Sequence, residues 1–195
     1  MEFILGSASP RRKAILSSLI GDITVLHPEV DESVSPGESP VVYVQRIVNK
    51  KMNYITSKYR EEGLYLTADT VVTIDGKILG KPSSYHDAIL MLKSLSGREH
   101  NVITGLSLAL KRKNFIINDI GYEVSSVFFK KLEENDILKY LSFVDYTDKA
   151  GAYAIQENGD MIIESVSGSV TNVIGLPVRL FLKMMNEMDV LKYYF

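Results

Sequence analysis

The chain contains no cysteine, which excludes a disulfide framework and any zinc site built on thiolates. That is compatible with a reducing cytoplasm, the expected location. No charged start followed by a long apolar run marks a signal peptide, and no apolar stretch is long enough to span a bilayer. No Pro-, Gly- or Ser-rich linker, internal repeat or low-complexity segment breaks the chain. Neither charge sign dominates: 22 Lys and Arg against 24 Asp and Glu give a net charge of −2. A nucleic-acid partner is therefore not expected, nor a membrane, and any anion site must be a local cluster. What remains is a chain of 195 residues, 46% hydrophobic, read as a single domain over 1–195.

Apolar patterning predicts strands at 2–6, 23–27, 64–74, 77–79 and 161–165. Helices are predicted at 10–20, about 41–59, about 85–95, 133–141 and about 177–188. Two long alternating stretches, about 100–110 and 115–130, read as a hairpin around Lys111-Arg112-Lys113-Asn114. Asp75-Gly76 reads as a tight hairpin turn. Helices and strands interleave and one hairpin is antiparallel, so the expected class is α/β with a mixed twisted sheet flanked by helices.

Three features point to chemistry. Phe3-Ile4-Leu5 reads as a buried strand, Ser9 as an N-cap and Pro10 as the first helical residue. Arg11 and Arg12 then fall in the first helical turn, where free N–H groups and the helix dipole already favour an anion. Two arginines there suit a bound phosphate or simply a solvated surface helix. In the next helix Val44, Ile47, Val48 and Ile55 form one stripe. Lys51 lies on that stripe, while Lys50 points elsewhere with Arg46 and Tyr54. Lys51 thus either snorkels to the rim or faces a buried anion.

Asp69 is the third feature. It interrupts the mostly apolar run Leu64-Tyr65-Leu66-Thr67-Ala68-Asp69-Thr70-Val71-Val72, and an ionised carboxylate is costly to bury unpaired. Alternation places Asp69 with Thr67 and Val71 on one face of the strand. Such a residue is a metal ligand, a catalytic carboxylate, half of an ion pair, or a wetted strand end. One of Glu29, Asp31 and Glu32 in an acidic loop could join Asp69 in an oxygen site for Mg²⁺ or Mn²⁺. Lys81, between Gly80 and Pro82, is either aimed at a ligand or an ordinary edge lysine. His27, His86 and His100 have no metal-like spacing and are given minor roles.

Five segments together resemble the Maf family. They are Ser7-Ala8-Ser9-Pro10-Arg11-Arg12, Ala68-Asp69-Thr70-Val71-Val72, Gly80-Lys81-Pro82, Leu95 to Gly105, and Asp148 to Gln156. The matches run in order over most of the chain. The resemblance implies an inosine-triphosphate-pyrophosphatase-like fold with a central cleft. It also implies a metal-dependent nucleoside triphosphate pyrophosphatase that yields monophosphate and pyrophosphate. The family is historically linked to inhibition of septum formation.

Carried over by position, Arg11, Thr70 and Gln156 match substrate-discriminating residues and Asp69 the catalytic carboxylate. Ser7, Arg12, Glu32, Lys51 and Lys81 match other polar residues of the pocket, with Glu32 and Asp69 as the expected metal ligands. The tyrosine and glutamine of Ala152-Tyr153-Ala154-Ile155-Gln156 resemble the branch that prefers dTTP and UTP. Gly6, Met52 and Glu157 depart from the family pattern, which has alanine, alanine and glycine there. The resemblance leaves homodimer formation open. A non-catalytic nucleotide sensor or a cell-division regulatory binding protein is the competing reading.

Overall fold

The computed structural model describes all 195 residues. Seven strands form one mixed sheet. They are Glu2–Gly6 (β1), Thr24–Leu26 (β2), Gly63–Ile74 (β3), Lys77–Leu79 (β4), Glu99–Arg112 (β5), Phe115–Phe129 (β6) and Ile163–Ser167 (β7). The helices are Pro10–Ile20 (α1), Pro40–Lys58 (α2), Tyr85–Leu95 (α3), Glu134–Phe143 (α4), Val170–Ile174 (α5) and Val178–Glu187 (α6). The sheet order is β2-β1-β3-β5-β6-β7, with β4 paired to β3. β1 runs parallel to both β2 and β3, whereas β4 and β7 are antiparallel to their partners. The mixed α/β class expected from the sequence is the one observed.

Local chemistry sets the boundaries. Ser9, Ser39 and Ser84 each cap a helix by accepting a backbone N–H from three residues on, and Pro10 and Pro40 take the first helical position. Asp75 and Gly76 both have positive φ, 51° and 74°, as a two-residue hairpin turn between β3 and β4 requires. The last strand starts later than the predicted 161. Asn158 adopts a left-handed conformation, and Gly159–Met161 forms a 3-10 turn before β7 begins. The short α5 lies beyond any periodic signal, being too brief to show one.

The chain folds as two compact units. One comprises Met1–Asp69, Thr104–Glu123 and Gly175–Phe195; the other comprises Thr70–Ile103 and Val124–Ile174. In the first unit, alternation along β3 sorts two clusters. Leu64, Leu66 and Ala68 join Phe3, Leu5, Leu16, Phe181 and Met184 on one face. Tyr65 joins Ile4, Met52 and Ile55 of α2 on the other. Gly6 faces α2, where an added Cβ would lie 2.7 Å from Ile55 Cδ1 and 2.8 Å from Thr67 Cγ2. The missing methyl lets β1 and α2 approach with Ile55 between them. In the second unit the core gathers Val72, Leu92, Leu95, Phe129, Tyr140 and Tyr153.

Candidate active site

The first unit brings a carboxylate, an ammonium and a second carboxylate together. Thr67 and Asp69 point from β3 toward α2, as alternation predicts. Thr67 Oγ1 donates to the Val48 carbonyl at 2.8 Å, and Asp69 Oδ1 accepts from Lys51 Nζ at 2.7 Å. Asp69 and Lys51 are 8% and 7% exposed. Glu32 reaches the same ammonium from the acidic loop, with Oε1 2.8 Å from Lys51 Nζ. Lys51 is therefore on the buried stripe of α2, and Lys50 is exposed. Of the three loop acids only Glu32 meets Lys51. The Asp31 carboxylate turns back to accept from the Ser33 backbone and hydroxyl, which hold it below the usual carboxylate range.

Two side chains to which the sequence pattern assigns no role in the site place Glu32. The Tyr43 hydroxyl donates to the Glu32 carbonyl at 2.8 Å. Arg46 grips both oxygens of Glu38 at 2.6 Å and donates to the Ser33 carbonyl at 2.9 Å. This fork holds Glu38 down at about 2. Burial and the nearby Asp69 and Glu32 charges push the Tyr43 hydroxyl up, so it stays a neutral donor. The signal for Tyr43 was present in the sequence: it precedes Ile47, Lys51 and Ile55 at intervals of four.

Arg12 occupies the first turn of α1. Its Nη1 donates to Ser7 Oγ at 3.0 Å and its Nε to the Gly175 carbonyl at 2.8 Å. Ser7 is buried at the turn between β1 and α1, where its hydroxyl also accepts from the Ser9 N–H. Burial lowers the Arg12 guanidinium from its ordinary value, an effect that Arg11 reinforces and that Asp69 and Glu32 oppose. Arg11 lies beside it in the same turn and is half-buried. The first turn contains no acid, so nothing within it offsets the two guanidinium charges.

The remaining predicted residues belong to the second unit. Thr70 follows Asp69 in β3 and is half-buried. Lys81 is exposed and makes no ion pair or hydrogen bond within the protein. The turn that carries it is fixed, because the Gly80 carbonyl accepts from the Gly151 N–H at 3.0 Å. Gln156 is exposed, with its amide likewise unbonded to protein. Tyr153 is instead a core residue. Its hydroxyl meets His100 Nε2 at 2.8 Å, and both rings pack edge-on against Phe129. His100 and Tyr153 thus anchor the segment that presents Gln156.

Chemically, the first unit offers two convergent carboxylates, which suit a hard cation or a water molecule, and guanidinium and ammonium groups, which suit phosphate.

A model of the Maf-like protein family matches residues 2–188. A dTTP/UTP pyrophosphatase of Thermoanaerobacter sp. (strain X514) is 39% identical over 191 residues, spanning 97% of this chain and 98% of the relative. One from Clostridioides difficile (strain 630) is 42% identical over 195 residues, spanning 100% and 96%. Among solved structures, the Staphylococcus aureus Ham1 protein superposes with a TM-score of 0.51 at 10% identity, over 96% of this chain and 100% of that one. That likeness concerns the fold alone. With the family match covering nearly the whole chain and relatives of this similarity along its full length, the chain belongs to the Maf family.

Proposed function

We propose that the protein hydrolyses dTTP and UTP to the nucleoside monophosphate and pyrophosphate with a divalent cation, Mg²⁺ or Mn²⁺, in the cytoplasm where these nucleotides circulate. One observation carries the chemistry: the buried Asp69 carboxylate and Glu32 converge on a single ammonium at 2.7 and 2.8 Å. The relatives named dTTP/UTP pyrophosphatase support the substrate.

The donor set fits the cation. Two carboxylates already surround one positive charge, with Lys51 standing in for an ion. The chain has no cluster of three or more metal-binding side chains. Mg²⁺ needs none, since one or two carboxylates with substrate phosphates and water complete its shell. Asp69 and Glu32 would hold it, and when bound it would neutralise phosphate oxygens and the charge developing on the leaving pyrophosphate.

The side chains divide the remaining work. Arg11, Arg12, Lys51 and Lys81 hold phosphate oxygens, with Ser7 keeping the Arg12 fork in place. Asp69 orients the attacking water and accepts its proton as the α–β anhydride is cleaved. Gln156 offers one donor and one acceptor to the O4 and N3–H edge of uracil or thymine, and Thr70 assists.

A panel of nucleotides with Mg²⁺ or Mn²⁺, with products resolved by chromatography, tests this reading. UMP or dTMP should accumulate with pyrophosphate. Release of diphosphate and orthophosphate overturns the reading, as does full activity in excess chelator. Tight binding without turnover would establish the sensor instead.

A further inference from the structure

A glutamine amide is two-faced. Its oxygen and NH₂ pair with N3–H and O4 of uracil, and after half a rotation the same groups pair with cytosine. The Gln156 amide makes no hydrogen bond within the protein, so no side chain fixes its orientation. Discrimination between the two bases then requires polar groups that cannot turn. The backbone N–H and C=O groups around Gln156 meet that need only if their own position is held.

The structure holds them at several points. Lys149 is 4% exposed. Its Nζ binds the Asp145 carbonyl, Asp148 Oδ1 at 2.8 Å and Glu157 Oε2 at 3.2 Å. The first two partners precede Gln156 in the chain and the third follows it directly, so one ammonium closes a loop around it. Inside that loop Gly151 and Ala152 both have positive φ, 67° and 64°. The Tyr140 hydroxyl brackets Ala154, accepting from its N–H at 3.0 Å and donating to its carbonyl at 3.3 Å. Tyr153 is held by His100. All of these contacts except the one to Glu157 lie before Gln156. A strained backbone persists only where its surroundings over-determine it, and such places cluster at functional sites.

We propose that in this chain, where Glu157 stands in place of the glycine of the family pattern, Lys149 and Glu157 form a positioning pair that sharpens pyrimidine selection at Gln156. The inference rests on the dTTP/UTP pyrophosphatase reading. Neither residue touches the nucleotide; the ion pair keeps the backbone beyond Gln156 in register with the base edge.

The test compares wild type, Glu157→Ala and Glu157→Gln with UTP and CTP, resolving products and recording melting curves. In Glu157→Ala the UTP-over-CTP ratio of kcat/KM should fall on the order of tenfold, mainly through a higher KM for UTP. Its kcat at saturation should stay within about twofold, because the phosphate chemistry lies on other residues. Glu157→Gln keeps the length and an acceptor and should retain part of the selectivity. An unchanged ratio in both variants overturns the inference, as does an equal loss on both nucleotides accompanied by a lower Tm. If Glu157→Ala does not fold, the Glu157→Gln ratio decides. Wild type that releases no pyrophosphate from UTP overturns the pyrophosphatase reading and this inference with it, whereas selective wild type with equally selective variants overturns this inference alone.

Discussion

Lys51 Nζ stands 2.7 Å from Asp69 Oδ1, and both side chains are buried. Removing two charges from water costs several kcal/mol per ion, and an apolar pair of similar volume is often as stable or more so. The pair is thus a poor choice for stability alone. Its position beside Glu32 and near Arg12 fits the proposed site, in which each charge would meet an ionic ligand.

Asp69→Asn keeps the shape and removes the charge. We expect kcat to fall on the order of 10²–10⁴-fold with the fold retained. Near-normal turnover in a folded variant, judged by circular dichroism and steady-state kinetics, would make Asp69 structural only.

The adjacent lysines of α2 should behave differently. Lys51→Ala removes a charge-assisted contact and should lower kcat/KM by roughly 1.5–3 kcal/mol. It also leaves the Asp69 carboxylate without its cation, so its Tm should drop and kinetics should be taken well below it. Lys50→Ala changes an exposed residue and should stay within about 0.5 kcal/mol in both respects. A larger kinetic effect at Lys50 would refute the phosphate role assigned to the buried face of α2.

His100 predicts a pH dependence of stability. Burial pushes its imidazole down to about 4 from 6.5, against a smaller opposing effect of the Arg98 backbone. The unfolded chain therefore takes up a proton near pH 6.5, while the folded protein resists until about pH 4. Stability from this group is full above pH 6.5 and is lost as the pH falls toward 4, by on the order of 3 kcal/mol. Urea unfolding across that range should show the slope in wild type and a shallower one in His100→Gln. Identical slopes would mean that His100 titrates normally.

Gly151 and Gly80 make a matched pair, joined by one hydrogen bond. Gly151 has φ +67°, and an added Cβ would sit 3.1 Å from the Val72 side chain. Gly151→Ala should cost roughly 1–3 kcal/mol. Gly80→Ala meets open space without a positive φ and should stay within about 0.5 kcal/mol. Denaturant midpoints with unchanged m-values would check both.

Much of this architecture is encoded locally. A Ser cap, Pro10 and the apolar residues that follow delimit α1 at Pro10–Ile20, where the sequence predicts it. Spacing of four residues along α2 puts Lys51 on the buried stripe, and period two in β3 turns Asp69 toward it. These are properties of a single helix or strand, so the chain alone determines them. The choice of partners is different. Glu29, Asp31 and Glu32 are alike as loop carboxylates, and only the Tyr43 bond to the Glu32 carbonyl, with Arg46 gripping the same loop, delivers Glu32 to Lys51. Tyr153 lies three residues before Gln156, yet its contact with His100, far earlier in the chain, puts it in the core. Such contacts join residues distant in sequence, and their energy exists only once packing has brought them together.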